Sequence, residues 1–283
     1  MQNNNDLEAL IEKYKKKSNR IDKIIKQSDK QQNALMRLNE QITLQKEELN
    51  KLHSYNIEQQ NIAKEKIDAV IFNVLDENQA LNSQIIYKPS DILSGDFYSI
   101  YKLNDGTILA YILDGQGHGI SPALTIFAAS STISSLIPLV DNFEELTKKL
   151  FPMIQKFLGE IEQISYTMIN IDTKTSKIKY LSGGTYPFLL KLGDEIKTFK
   201  ANNLPFMNFS TIPAIKELEI TNWDTLLFYT DGLVEENDDD TLKTFSPDQL
   251  ILESELFEKA QITVKQNNYE DDITVVKLTK THN

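Results

Sequence analysis

Along the first quarter of the chain, apolar residues return every seven positions. Leu7, Tyr14, Ile21, Leu35, Ile42, Leu49, Ala63 and Val70 fall in one column, interrupted by Ser28 and Asn56. Three residues later, a second column reads Leu10, Ile24, Leu38 and Leu52, alternating with Lys17, Gln31, Gln45, Gln59 and Lys66. These are the a and d positions of a heptad repeat. Neither Gly nor Pro occurs before Pro89, which suits one long helix. At ~1.5 Å per residue, the span from Leu7 to Val70 predicts a helix of roughly 95 Å. A strict period of seven implies left-handed supercoiling with a partner, and Asn56 at an a position favours two strands in register. The reading is a parallel homodimer; the alternative is a lone amphipathic helix folded back on its own domain. The segment 65–75 is more apolar, as expected where such a helix docks on a following domain. Residues 1–78 are therefore expected to form a coiled-coil helix for dimerisation and signal input, and 79–283 a separate domain.

Beyond that boundary short apolar runs replace the heptads. Runs at Gln84–Tyr87, Phe97–Leu103, Thr107–Leu113, Ile164–Ile171, Lys177–Leu181, Phe188–Leu192, Ile196–Phe199, Lys216–Ile220, Thr225–Thr230 and Ile273–Leu278 predict strands. Asn104-Asp105-Gly106 joins two of them as a hairpin turn, which accounts for Asp105 without a functional role. Ser121-Pro122 opens a helix predicted over Ala123–Leu139, with Ser121 as N-cap and Pro122 at the first helical position, and a second helix is predicted from Phe143 to Leu158, with Asn142 as N-cap and Gly159 as stop. Another poorly patterned helical segment covers Ser246–Val264. Strands, a helix pair, more strands, then helix and strand predict an α+β domain whose sheets lie beneath helices.

Composition narrows the chemistry. The 283 residues contain no cysteine, so disulfides, thiol nucleophiles and zinc–thiolate sites are excluded. The net charge of −11 resides wholly in residues 81–283, which carry 17 Lys/Arg against 28 Asp/Glu, whereas residues 1–80 carry 13 of each. An acidic domain disfavours nucleic acid as partner. The two arginines, Arg20 and Arg37, both lie in the helical part, so phosphate recognition in the second domain falls to lysine, backbone amides or metal ions. The first residues lack a basic-then-apolar leader pattern, and no run approaches the ~18 apolar residues of a membrane span. A soluble cytoplasmic protein is expected.

One stretch holds the candidate chemistry. Asp114-Gly115-Gln116-Gly117-His118-Gly119 follows the apolar run Thr107–Leu113 and precedes a helix. A carboxylate at the tip of a buried strand is costly unless solvated, paired or bound to a cation. Asp231 follows one strongly apolar strand and Asp271 stands just before another, and Asp96, in Ser94-Gly95-Asp96-Phe97-Tyr98, precedes a fourth. If these ends converge, four carboxylates share one place, each raising the others' pKa unless a cation intervenes. Oxygen ligation without Cys suits Mg²⁺ or Mn²⁺, and two such ions could generate hydroxide from a bridging water and clamp a phosphoryl group. Taken singly, Asp231-Gly232 is equally a turn and Asp271-Asp272 equally a surface loop.

Residues 94–98, 114–124, 180–190, 226–235 and 271–278, in that order, resemble the metal-dependent type 2C (PPM-type) protein serine/threonine phosphatase family, in its bacterial sporulation and stress-response branch. The resemblance implies a four-layer α-β-β-α sandwich with two Mn²⁺ or Mg²⁺ ions between the sheets. It makes Asp114 the ligand shared by both ions, the Gly115 carbonyl a ligand of the first, and Asp231 and Asp271 ligands of the second. Asp96 would act at the first ion, partly through water. Asp272 would be a neighbouring polar position, and Glu235 a residue of a third metal or of a regulatory switch. His118 belongs to the Gly-His-Gly turn, with proton transfer or substrate contact as its alternative role; Lys88 is the nearest candidate for phosphate binding. Ser182-Gly183-Gly184-Thr185 stands where many relatives carry Asn-Ala-Gly-His, and Met207 where glycine is usual. These departures touch loops near the substrate. The implied activity is hydrolysis of phosphoserine or phosphothreonine on a bacterial signalling protein, such as an anti-sigma-factor antagonist, under an upstream regulatory protein. A reading of another class is a catalytically inactive dimeric scaffold, which would lack a metal ligand; Asp96, Asp114, Asp231 and Asp271 are all present.

Overall fold

The computed structural model describes residues 2–77, 80–117, 119–235 and 245–281, apart from the side chains of 2–9, 76–77 and 235. It divides into two units, Met1–Gln59 and Gln60–Asn283.

The first unit consists of residues of helix α1 (Gln2–Asp68). Every residue from Leu10 to Gln59 is exposed, including the heptad positions Ile21, Ile24, Leu35, Leu38, Ile42, Leu49 and Leu52. The last turns of α1 belong to the second unit. There Ile67 is buried, with Ala63, Val70 and Ile71 packed beside it. The helix ends at Asp68, within the more apolar segment 65–75 rather than running through it. Phe72 instead donates its N–H to Ser99 Oγ (2.9 Å) and accepts from the Ile100 N–H (2.7 Å), partners 27 and 28 residues away.

The second unit carries eleven described strands: β1 (Leu81–Lys88), β2 (Asp96–Lys102), β3 (Ile108–Gly115), β4 (Gln163–Ile171), β5 (Ile178–Gly183), β6 (Phe188–Leu192), β7 (Glu195–Phe199), β8 (Phe206–Met207), β9 (Lys216–Leu218), β10 (Thr225–Tyr229) and β11 (Ile273–Lys280). All pair antiparallel. One sheet has the order β2-β3-β4-β5-β9 with β8 beside β4; the other runs β1-β11-β10-β6-β7. The helices are α2 (Ile120–Leu136), α3 (Phe143–Ile154), the single turn α4 (Gly232–Glu235), α5 (Pro247–Leu252) and α6 (Ser254–Gln266).

Three apolar layers separate four layers of structure. Alternate residues of β2 and β3 (Phe97, Leu109, Tyr111, Leu113) face Ala123, Ile126, Ile133, Leu146 and Leu150 of α2 and α3. Their neighbours Ile100, Ala110 and Ile112 face Leu190, Phe228 and Val276 of the second sheet. That sheet's outer residues Ile86, Leu227 and Val275 pack on Leu250, Phe257 and Val264 of α5 and α6. The period of two thus feeds two cores from each central strand. The α-β-β-α sandwich is present as expected.

Several boundaries differ from expectation. Helix α2 begins at Ile120 with Gly119 at the N-cap (φ 94°, ψ −155°), so Ser121 caps nothing and Pro122 lies within the first turn, where no intrahelical N–H bond is lost. Asn142 does cap α3, accepting from the Glu145 N–H at 2.9 Å, but α3 stops at Ile154, two residues after Pro152. The segment after Ser246 is two helices, parted at Glu253. Helix α2 together with the turn to Leu139 is long and apolar enough by composition to cross a membrane, contrary to the reading of the bare sequence. Six of its residues are buried against β2, β3 and α3, the behaviour of a core helix.

Candidate metal centre

Asp96 opens β2 and Asp114 lies near the end of β3, and the antiparallel register makes them direct partners. Side chains so paired have Cβ atoms about 4.5–5.5 Å apart. Asp114 in turn pairs with Ser165 of β4, and Gly115 with Ile164. This rim of the first sheet is tied to the second by hydroxyls. Thr230 Oγ1, just beyond β10, and Thr274 Oγ1, on β11, each donate to Asp96 Oδ2 at 2.7 Å. The Thr230 N–H donates to the Thr274 carbonyl (3.0 Å), and the Thr274 N–H to Thr230 Oγ1 (3.0 Å). Asp231 follows Thr230 and Asp271 lies three residues before Thr274, so both belong to the same edge as the Asp96–Asp114 pair.

Asp272 serves the scaffold. It is buried, and Oδ1 accepts from the N–H and hydroxyl of Ser90 (2.7 and 3.0 Å), while Oδ2 accepts from the Gly95 N–H (2.6 Å). These bonds hold the β1–β2 loop against β11. Gly232 approaches Asp272 so closely that a Cβ there would collide with the Asp272 carbonyl oxygen. A Cβ on Gly115 would lie 2.9 Å from Ile126 Cγ1 and 3.1 Å from Pro122 Cβ, so glycine lets α2 pack onto the end of β3. Lys88 ends β1 opposite Ile273, one residue from Asp272 in the register, which places it beside the carboxylate edge. His118 lies outside the described residues, as does the side chain of Glu235.

The electrostatics ask for a counter-charge. Asp96 is 3 % exposed, and burial, then the charges of Asp114 and Asp272, push its carboxyl well above the usual range against the opposing pull of the threonine hydroxyls. Burial likewise raises the Tyr87 phenol, whose O–H donates to the Asp96 carbonyl at 3.3 Å. Among the described residues, no three His, Asp or Glu side chains stand grouped as ready ligands. The donors nevertheless fit a hard divalent cation in kind: carboxylate and carbonyl oxygens, without Cys, around a buried acid already crowded by negative charge. Sequence reasoning missed Thr230 and Thr274. Their only signal is adjacency, Thr230 preceding Asp231 and Thr274 sitting one turn of the pleat after Asp272.

The departures from the familiar pattern are accommodated locally. Thr185 Oγ1 hydrogen-bonds with Thr167 Oγ1 and Ser182 Oγ, both at 2.8 Å. Gly183 and Gly184 leave room for Leu204 and Pro205 of the loop before β8, a two-residue strand not foreseen from sequence.

Comparison with known proteins identifies the family and the fold. Residues 104–281 match the family described as Stage II sporulation protein E (SpoIIE). Stage II sporulation protein E of Bacillus subtilis is 28 % identical over 213 residues, covering 69 % of this chain and 25 % of the relative. Phosphoserine phosphatase RsbP of the same organism is 27 % identical over 166 residues, 56 % of this chain and 41 % of the relative. The chain thus spans only a quarter to two fifths of the length of these curated relatives. Among solved structures, the SiaA-PP2C domain of Pseudomonas aeruginosa superposes with a TM-score of 0.63 at 18 % identity, over 80 % of this chain and 96 % of that one, which establishes the shared fold. The match over most of the sandwich shows that this chain belongs to the SpoIIE family of PP2C-type serine phosphatases.

Proposed function

We propose that this chain hydrolyses phosphoserine or phosphothreonine on a protein substrate in a reaction dependent on Mg²⁺ or Mn²⁺. The observation that carries the reading is the Asp96–Asp114 pair, placed in register on one sheet and tied by Thr230 and Thr274 to the other. Asp96, Asp114, the Gly115 carbonyl, Asp231 and Asp271 would hold two ions. Bound Mg²⁺ or Mn²⁺ supplies Lewis acidity toward a phosphoryl oxygen and lowers the pKa of water. The protein's own contribution is positional. The two threonine hydroxyls fix one Asp96 oxygen, Gly115 sets the turn against α2, and Asp272 anchors the loop that delivers Asp96. With no arginine in residues 81–283, Lys88 is the basic side chain best placed at the edge to meet phosphate.

The substrate is proposed to be a small phosphorylated signalling protein, an anti-sigma-factor antagonist being the type suggested by the kinship with sporulation proteins. The heptad columns of α1 support a parallel homodimer through which an upstream regulatory protein acts. The test is phosphate release from a phosphoserine peptide with and without Mn²⁺, in the native chain and in Asp114→Asn. We expect Mn²⁺-stimulated release, lost by at least about a hundredfold in the variant, with an unaltered circular dichroism spectrum. Undiminished activity in Asp114→Asn would falsify the mechanism.

A further inference from the structure

Beside the candidate centre lies a cavity of about 390 Å³, lined by Gly115, Gln116, Ser121, Pro122, Thr125, and residues 161–163. That volume is at the lower end of ligand pockets and suits a side chain better than a cofactor. Its floor is the end of β3 against β4, where the Gln116 N–H donates to the Gln163 carbonyl at 3.5 Å. One wall is the first turn of α2, and the other is the loop between α3 and β4. Gly115 therefore belongs both to the candidate centre and to the cavity, so a chain bound at the first reaches the second.

The lining has a polarity. Pro122 and Ile161 offer apolar surface, and Ile161 is 90 % exposed, far more than a residue serving its own core. Glu162 is the charged side chain among the described lining residues, and it is held in place. The Gly159 N–H donates to its Oε2 at 2.8 Å, and Thr125 Oγ1 shares its one proton between Glu162 Oε1 and the Ser121 carbonyl, both at 3.2 Å. A carboxylate offers about four acceptor positions, so these two bonds orient it and leave capacity for a further donor. Apolar walls leading to a fixed carboxylate match a lysine or arginine, whose methylene stem covers apolar surface while its head finds an anion. The surplus of acidic over basic residues in 81–283 works in the same direction at longer range.

We propose that this cavity is a specificity subsite that takes a lysine or arginine flanking the phosphorylated residue of the protein substrate, with Glu162 as the selecting residue. The inference rests on the phosphatase reading for the identity of the bound chain. The chain with Mn²⁺ is given fluorescein-labelled phosphoserine peptides that differ only in carrying Lys, Arg, Ala or Glu at each flanking position. Phosphate release reports kcat/KM, and anisotropy reports Kd. At one flanking position, Lys and Arg should exceed Glu by roughly tenfold or more in kcat/KM and show a Kd lower by a similar factor, the size of one charge-assisted pair. Glu162→Gln, which retains an acceptor for the turn, should shrink that ratio toward one, and Glu162→Lys should invert it. A native chain that treats all peptides alike overturns the subsite and leaves the phosphatase reading intact. A preference for Lys that survives in both variants overturns the role of Glu162. If no peptide is hydrolysed the phosphatase reading fails, and the Kd ratio alone then decides whether the subsite stands.

Discussion

Thr230 and Thr274 are worth more than their neighbours because they reach across the sandwich. Each hydroxyl donates to the same oxygen of a buried carboxylate, and hydrogen bonds to a charged acceptor contribute about 1.5–3 kcal/mol apiece. Valine keeps the shape and removes the donor. Thr274→Val should therefore lower the affinity for Mn²⁺, measured by calorimetry, by roughly tenfold or more, with Thr230→Val similar. The double variant should fall short of the sum, because both act on one carboxylate oxygen. Unchanged Mn²⁺ affinity in both single variants would show that Asp96 needs no such clamp. The aspartates themselves were legible in the sequence, since an acid at the tip of an apolar run is chemically conspicuous. The threonines were not, because a hydroxyl's importance depends on a partner 134 or 178 residues distant. Asp272 was visible as a polar position, but its bonds to Ser90 and Gly95 are likewise tertiary facts.

The elements divide by how local their causes are. Strand positions followed from short apolar runs, and the Asn104–Gly106 hairpin from its turn residues; Gly106 has φ 86° and its N–H donates to the Leu103 carbonyl at 2.9 Å. The cap of α3 was equally readable, since Asn142 and Glu145 lie within one turn. What escaped was governed from afar. Helix α1 yields at Asp68 because Phe72 and Asn73 are engaged by β2 and β1, through Ser99, Ile100 and Ser83. The start of α2 escaped because glycine supplies a conformation that the Ser-Pro pattern seemed to explain. That junction also sets the site, since α2 rests on Gly115. Gly115→Ala forces Ile126 and Pro122 aside, and overpacking of this kind costs about 1–3 kcal/mol. Chemical denaturation should show a loss in that range, with Mn²⁺ affinity reduced as well because the turn shifts with α2. A variant as stable as the native chain would mean that α2 can give way freely.

At the scale of the whole molecule, the heptad helix poses an energetic problem. From Leu10 to Gln59 every residue is exposed, and helices without tertiary packing are marginal in water. The a and d residues Ile21, Ile24, Leu35, Leu38, Ile42, Leu49 and Leu52 are each half or more exposed in the single chain. In a parallel homodimer a second copy would remove that exposure along one seam, while Asn56 and the alternating polar d positions would moderate the stability gained. The truncation that tests this must respect the core. Ile67 and Leu75 are buried in the second unit, so a cut at Leu81 would strip residues from its apolar layers, whereas a chain beginning at Gln60 keeps them. Light scattering should give a dimer for the full chain and a monomer for residues 60–283. In the full chain, Ile21→Asp with Ile42→Asp should dissociate the dimer and reduce the helical circular dichroism signal, since each isolated helix then lacks its seam. A full chain that is monomeric while retaining complete helicity would remove the coiled coil from the account and leave α1 stabilised by other means.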